Sequence, residues 1–248
     1  MTTATAQRPA IDIRRAGDRF TTRIDWLDSR HSFSFGRHYA EDNTHFGLLL
    51  VSNDDIVQPE TGFSTHPHSD MEIVTWVLDG ELEHKDSTGH IGLIYPGLAQ
   101  RMSAGTGILH SEMNATRGAP VHFVQMWVPP DTDRVRPEYA QLDINTELAR
   151  GGLVPLASGR GHDAAISIRQ EGAVLWVARL GPGEQVTLPA APFVHLYVSR
   201  GEVDADPLGM LAHGDAARLT AAGALALTAG PEGAEILVWE MESELLAR

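Results

Sequence analysis

The chain has 248 residues, with 19 basic against 33 acidic side chains, a formal charge of −14 with histidine neutral, and no cysteine. Without thiols there can be no disulfide framework, zinc-thiolate site, iron–sulfur cluster or cysteine nucleophile, so any metal must be held by nitrogen and oxygen. The acidic balance, with no clustered Lys and Arg, argues against direct nucleic-acid contact, and the length suffices for one large domain or two ordinary ones.

Residues 1–9 are polar and lack the apolar core of a secretory signal, so a cytoplasmic location is expected. Over residues 1–40 seven arginines alternate with four aspartates, which reads as a solvated, salt-bridged surface. Short apolar runs then recur at 46–51, 71–78, 91–95, 121–128, 174–180, 193–198 and 235–239, all far short of a membrane span. Turn formers separate them, among them Asp79-Gly80, Pro96-Gly97, Gly181-Pro182-Gly183 and Gly230-Pro231, the spacing of an all-β sandwich or barrel. Residues 137–142, opened by Pro137, and 146–150, followed by Gly151-Gly152, are the best helical candidates and read as a linker.

A weak internal repeat flanks that linker. Residues 96–104 can be laid on 213–221 at an offset of 117, and residues 74–82 on 195–203 at an offset of 121. In the second match Val77, Gly80 and Glu81 recur, and Trp76 is matched by Tyr197. The order is that of tandem β domains, and two stacked barrels are expected.

Nine of the twelve histidines fall between His31 and His122, and two pairs have a telling spacing: His66-Pro67-His68 and His110-Ser111-Glu112. Side chains at i and i+2 of a strand leave the same face, so each pair aims two donors at one place. Two such strands facing each other across a barrel would supply three imidazoles and a carboxylate. That set leaves coordination positions open and suits a divalent first-row metal. Gly62 and Gly105-Thr106-Gly107 lie beside the pairs and permit close backbone approach. Glu72, four residues after His68, shares its face if the strand is regular, and is kept as a supporting partner or fallback ligand. His84, His90 and His122 read as hydrogen-bonded structural or surface groups, and Trp76, Trp127, Phe33 and Phe35 as core. In the second half His162, His195 and His213 stand singly. The offset of 117 carries the four candidate ligands onto Gly183, Gln185, Leu227 and Ala229, so no metal is expected there.

The stretches Gly62-Phe63-Ser64-Thr65-His66-Pro67-His68-Ser69-Asp70-Met71-Glu72, Gly80-Glu81-Leu82-Glu83-His84-Lys85-Asp86-Ser87, Pro96-Gly97 and Met102-Ser103-Ala104-Gly105-Thr106-Gly107-Ile108-Leu109-His110-Ser111-Glu112 resemble the pirin family of the cupin superfamily. The resemblance extends from about residue 26 to 127, with His31-Ser32-Phe33-Ser34-Phe35-Gly36 upstream. The remainder is more loosely similar to the second cupin domain of bacterial pirin-like quercetin dioxygenases. The implied fold is an all-β bicupin: two stacked double-stranded β-helix (jelly-roll) barrels joined by a short helical linker. Residues 1–132 would form the metal-binding cupin and 133–248 a degenerate cupin without metal.

The resemblance also implies one divalent transition metal on His66, His68, His110 and Glu112. Iron(II) is the first expectation, with Mn, Ni, Cu, Co or Zn also accommodated. Many other cupins take the carboxylate from the first motif, here Glu72, whereas pirins take it from the second, here Glu112. The implied activity is that of a quercetin 2,3-dioxygenase, an oxidoreductase cleaving a flavonol, a small aromatic substrate, with O2 and loss of carbon monoxide; Glu112 is the expected proton acceptor. The alternative is a non-enzymatic, metal-containing pirin-type regulator that binds a protein partner. A cupin-type isomerase, turning over without oxygen, ranks third.

Overall fold

Six of the seven apolar runs form strands, because Val, Ile and aromatic side chains fit a pleated surface better than a helix. The first, 46–51, instead turns through the bridge Phe46↔Leu49 before the strand that opens at Val51. The computed structural model describes residues 8–245; of the polar opening read as lacking a secretory signal, residues 1–7 lie outside the described residues. Strands β1 (Ala10–Arg14), β2 (Phe20–Ile24) and β3 (Leu27–His31) lead into β4 (Val51–Val57), β5 (Gly62–His68) and β6 (Glu72–Asp79). Then come β7 (Leu82–Asp86), β8 (Ile91–Ile94), β9 (Leu98–Ser103), β10 (Ile108–Asn114) and β11 (Val121–Val128). The connection holds β12 (Glu138–Asp143) and a one-turn helix, α1 (Asn145–Leu148). The second half comprises β13 (Val154–Ser158), β14 (Ile166–Ser167), β15 (Ala173–Leu180) and β16 (Gln185–Thr187), then β17 (Phe193–Ala205), β18 (Gly209–Ala212), β19 (Ala216–Thr220) and β20 (Ala226–Met241).

The first barrel consists of a seven-stranded sheet, β12-β9-β6-β11-β4-β3-β2, and a four-stranded sheet, β5-β10-β7-β8. A nine-stranded sheet, along β1-β19-β17-β20-β15-β13-β14 with β16 on β20 and β18 on β17, forms the second. Strand β6 is buried from Glu72 to Leu78 because both its faces are covered. Val77 points into the first barrel with Leu82, Ile94 and Phe123, whereas Val74, Trp76 and Leu78 point outward into a core shared with Leu237 and Trp239. An apolar run without alternation is the sequence trace of such two-sided burial. The second barrel's interior is filled by Val186, Leu188, Val203, Leu211 and Leu227.

The repeat is reproduced in the strand register. In β6 and β9 the pairs are Glu72↔Ser103, Ile73↔Met102, Val74↔Arg101 and Thr75↔Gln100. Offsets of 121 and 117 carry them onto Phe193↔Thr220, Val194↔Leu219, His195↔Arg218 and Leu196↔Ala217, the pairs of β17 and β19. Equivalent side chains also reach across the junction in both directions. Trp76 Nε1–H donates to Glu235 (2.8 Å), and its counterpart Tyr197 donates its hydroxyl to Asp54. Arg101 donates to the Ser167 carbonyl (3.0 Å), and its counterpart Arg218 to the Ser32 carbonyl (3.0 Å).

One expectation is corrected. Residues 137–142 are not helical: β12 runs through them, paired with β9 from Glu138↔Ser103 to Asp143↔Leu98. The open edge of β9 offers unpaired backbone groups, and tertiary pairing overrides the local helical signal. The helix of the connection is confined to α1, with Leu148 buried. The chain also exchanges ends between the barrels: β1 pairs with β19 of the second, while β12 completes the first. Among the described residues no helix is long and apolar enough to cross a membrane.

Candidate metal centre

Strands β5 and β10 are antiparallel neighbours within one sheet, with Ile108 opposite His68 and His110 opposite His66. The expectation of two strands facing each other across the barrel is therefore replaced by pairing side by side, which brings the two motifs closer. Pro67 lacks a backbone N–H and is tolerated because β5 is the sheet's edge strand. A Cβ on Gly62 would lie 2.2 Å from the Glu112 carbonyl oxygen, so only glycine lets the strands approach this closely. The register slips between His110 and Glu112, and a bulge of this kind re-aims the side chains around it.

The three imidazoles form a compact triangle. Ring centroids are 4.9 Å apart for His66 and His68, 4.4 Å for His66 and His110, and 4.9 Å for His68 and His110. One nitrogen of each ring lies within 4.8 Å of the others. Hydrogen bonding fixes which nitrogen stays free. His66 Nδ1–H donates to the Ser64 carbonyl (2.8 Å). A carboxylate only accepts, so His84 Nε2–H donates to Asp86 (3.1 Å) and leaves His84 Nδ1 as acceptor for His110 Nδ1–H (3.4 Å). The Nε2 atoms of His68 and His110 are buried without a partner. Burial, followed by the charges of neighbouring imidazoles, pushes His68 down to about 4 and His110 down to about 3. Both rings are neutral at pH 7 and present bare lone pairs, the state a metal ion requires.

The Asp86–His84–His110 chain escaped the sequence reading, which took His84 as structural. The signal was there: His84 and Asp86 obey the same i, i+2 rule as the two chosen pairs. Burial raises the Asp86 carboxyl, but hydrogen bonds from Thr88, His84 and His90 outweigh it and hold the group below its usual range. It is thus a fixed negative charge orienting the imidazole that orients His110. Replacing His84 by phenylalanine removes the acceptor for His110 Nδ1–H. Metal affinity, read by competition with a chelator, is expected to fall about 10- to 100-fold with the fold retained; unchanged affinity would show that the chain plays no part.

Glu112 is buried, and both carboxylate oxygens accept from Gln125 Nε2 at 2.9 Å. Gln125 is fixed in turn by Trp127 Nε1–H (3.1 Å). Glu112 lines the same cavity as His66 and His68, although the tight cluster of ligand atoms comprises the three histidines. Glu72 is elsewhere. Its carboxylate accepts from Ser103 Oγ (2.8 Å) and the Arg169 backbone N–H (3.2 Å), near Arg101 (3.9 Å). The chain leaves β5 at His68 and turns through Asp70, at φ 46°, before β6 begins, so parity counted from His68 does not survive to Glu72.

The cavity over the cluster measures about 720 Å³ and has apolar walls from Trp26, Leu27, Phe35, Phe63 and Trp127. Trp127 stands edge-on to His68, with centroids 4.9 Å apart. Trp127 and Phe35, read from sequence as core, are cavity wall; Trp76 and Phe33 are core as expected. His122 is hydrogen-bonded to Asp54 (2.6 Å) and His90 stacks on Tyr139, both structural as read. His195 is buried against Phe33 and Phe46, the packed strand residue expected.

The family model described as Pirin matches residues 13–128, and one described as the quercetinase C-terminal cupin domain matches residues 155–241. A protein of Mycobacterium tuberculosis, named "Putative quercetin 2,3-dioxygenase", is 58% identical over 236 residues, covering 95% of this chain and 96% of its own length. A protein of Escherichia coli named quercetin 2,3-dioxygenase is 44% identical over 161 residues, 65% of this chain and 68% of its own. The crystal structure of the E. coli bacterial pirin YhhW in complex with nickel(II) has a TM-score of 0.86 at 32% identity, covering 95% of this chain and 100% of that one.

Proposed function

The chain belongs to the pirin family of cupins, and we propose that it is a metal-dependent dioxygenase that cleaves a flavonol such as quercetin with dioxygen. The observation that carries this reading is the triangle of histidines, with two buried and unpartnered Nε2 atoms, beneath an aromatic-walled cavity of about 720 Å³. That volume is in the range of small-molecule sites. The dioxygenase names of the relatives support the same chemistry.

His66, His68 and His110 would hold a divalent first-row ion with Glu112 as fourth ligand; iron(II) is the first candidate, and Mn, Ni, Cu, Co and Zn suit the same nitrogen and oxygen donors. The nickel of the E. coli relative falls within that range. When bound, the metal supplies a Lewis acid with open positions for an enolic oxygen and for dioxygen. The protein's own part is positioning. Gln125 clamps the Glu112 carboxylate so that it meets the flavonol hydroxyl in a fixed orientation and accepts its proton. Trp127, Phe35 and Phe63 cover the faces of a flat ring and exclude water from it. Residues 1–132, completed by β12 and with β1 lent to the second barrel, are proposed as the metal-bearing unit. Residues 133–248 are proposed as a metal-free cover, so metal analysis should give one ion per chain.

The two glutamates separate this reading from the fallback. Glu112→Gln is expected to lose most of the bound metal and all quercetin turnover. Glu72→Gln should keep both and instead lower the melting temperature, because Arg101 loses its buried carboxylate partner and keeps only the exposed Glu138, at a cost of about 1–3 kcal/mol. The opposite ranking in metal content would move the ligand role to Glu72.

A further inference from the structure

Two neighbouring aspartates on β4 take opposite routes. Asp54 turns outward to His122 and Tyr197, whereas Asp55 turns into the cavity above the histidines and is only 4% exposed. The register of β3, β4 and β11 aligns Ser29, Asp55 and Phe123 in one row and His31, Asn53 and Gln125 in the next. These strands belong to the seven-stranded sheet, while the histidine triangle lies on the four-stranded one. The polar rows therefore form a separate wall of the site.

Most polar groups of that wall are already engaged. His31 Nδ1 is within 2.9 Å of Asn53 Oδ1, and His31 Nε2 within 2.9 Å of Thr22 Oγ1. Gln125 is held between Glu112 and Trp127. Ser29 lies opposite Asp55 across the β3–β4 pair, and Asp55 Oδ1 is buried with no partner at all. Burial pushes this carboxyl up to about 7, with the charges of Asp54 and Glu112 adding to the rise and Ser29 and Arg19 opposing it. In slightly acidic solution it therefore carries a proton, and no protein group is bonded to Oδ1, so the carboxyl has hydrogen-bonding capacity to spare at the cavity wall.

Resting on the flavonol reading of this site, we propose that Asp55 is a second polar anchor of the cavity. Its carboxyl, facing the cavity from the sheet that does not carry the histidines, hydrogen-bonds a substrate oxygen other than the one on the metal side. The substrate class narrows accordingly to planar aromatic compounds with at least two separate oxygens: one for the metal side and another for Asp55.

The test uses the whole protein, chelator-treated, at pH 6, with binding read from the fluorescence of Trp26 and Trp127 in the cavity wall. The two ligands are quercetin and 3-hydroxyflavone, which keeps the metal-side oxygens and lacks the remaining ring hydroxyls. Wild type is expected to prefer quercetin by about threefold to tenfold, the value of one hydrogen bond. Asp55→Asn, which retains a donor, should keep the preference, and Asp55→Leu should abolish it while still binding 3-hydroxyflavone. An infrared band of a protonated carboxyl should be present in wild type and missing in Asp55→Asn. Equal binding of the two ligands by wild type, a preference surviving in Asp55→Leu, or no such band would each overturn the proposal. Failure of wild type to bind either ligand would instead overturn the flavonol reading on which it rests.

Discussion

Replacement of His110 by alanine is expected to leave the protein folded and nearly devoid of metal. The variant lacks one of three nitrogens that converge within 4.8 Å, and the remaining two cannot fix the ion's geometry. The loss should exceed the about 10- to 100-fold that follows removal of an outer partner such as His84, and quercetin turnover should disappear with it. His68→Ala should behave alike, since its Nε2 is the other buried nitrogen without a protein partner. The fold should survive because the first barrel closes on Leu82, Ile94, Val121 and Phe123, none of them a candidate ligand, and a chain of this length needs no metal to supply its core. Elemental analysis beside a thermal melt measures both halves. Full metal content in both variants would refute the assignment.

Asp54→Ala should produce the largest loss of stability. Asp54 sits at the junction of the barrels, accepting from His122 (2.6 Å) and from the Tyr197 hydroxyl, with Arg19 at 3.5 Å. Removing it strands the buried Arg19 charge, which costs about 3–5 kcal/mol, or on the order of 10 °C in melting temperature for a chain of this size. The pH dependence carries a second signature. Burial raises the Asp54 carboxyl, but His122, Arg19 and Tyr197 overcome it and hold the group at about 2, below its ordinary 3.8. The unfolded chain therefore binds this proton more tightly, and a stabilisation of about 2 kcal/mol is complete above roughly pH 4 and is lost as pH falls through about 2. Asp55 has the opposite sign. Its value of about 7 lies above 3.8, so its contribution falls as pH rises between the two, and Asp55→Asn should melt higher than wild type at pH 8. Thermal melts of wild type, Asp54→Asn and Asp55→Asn across pH test both. An Asp54→Asn variant melting with wild type at pH 7 would contradict the first, and an Asp55→Asn variant melting lower at pH 8 the second.

The parts of the site legible in the sequence are those set by strand period alone. His-x-His places two imidazoles on one face wherever the strand sits, and the offsets of 121 and 117 captured the register of β6 with β9 because duplicated strands pair alike. Glu72 failed because parity holds only within one strand, and the turn at Asp70 ends it. Residues 137–142 failed because the open edge of β9 decided their conformation. Trp127 and Phe35 were hidden for a related reason: composition distinguishes apolar from polar, not a packed core from the wall of a cavity. The facing of Asp54 and Asp55 into different environments is again alternation, but which face held the cavity depended on the folded barrel.

The most direct measurement of the central claim is simultaneous recording of oxygen uptake and carbon monoxide release when quercetin is added to the metal-reconstituted protein, with the chelated protein and His110→Ala as controls. Equimolar consumption of quercetin and dioxygen with release of carbon monoxide is expected from the metal-loaded wild type, and neither change from the controls. A fully metal-loaded protein that leaves quercetin and oxygen untouched would contradict the dioxygenase reading and favour a metal-containing interaction protein.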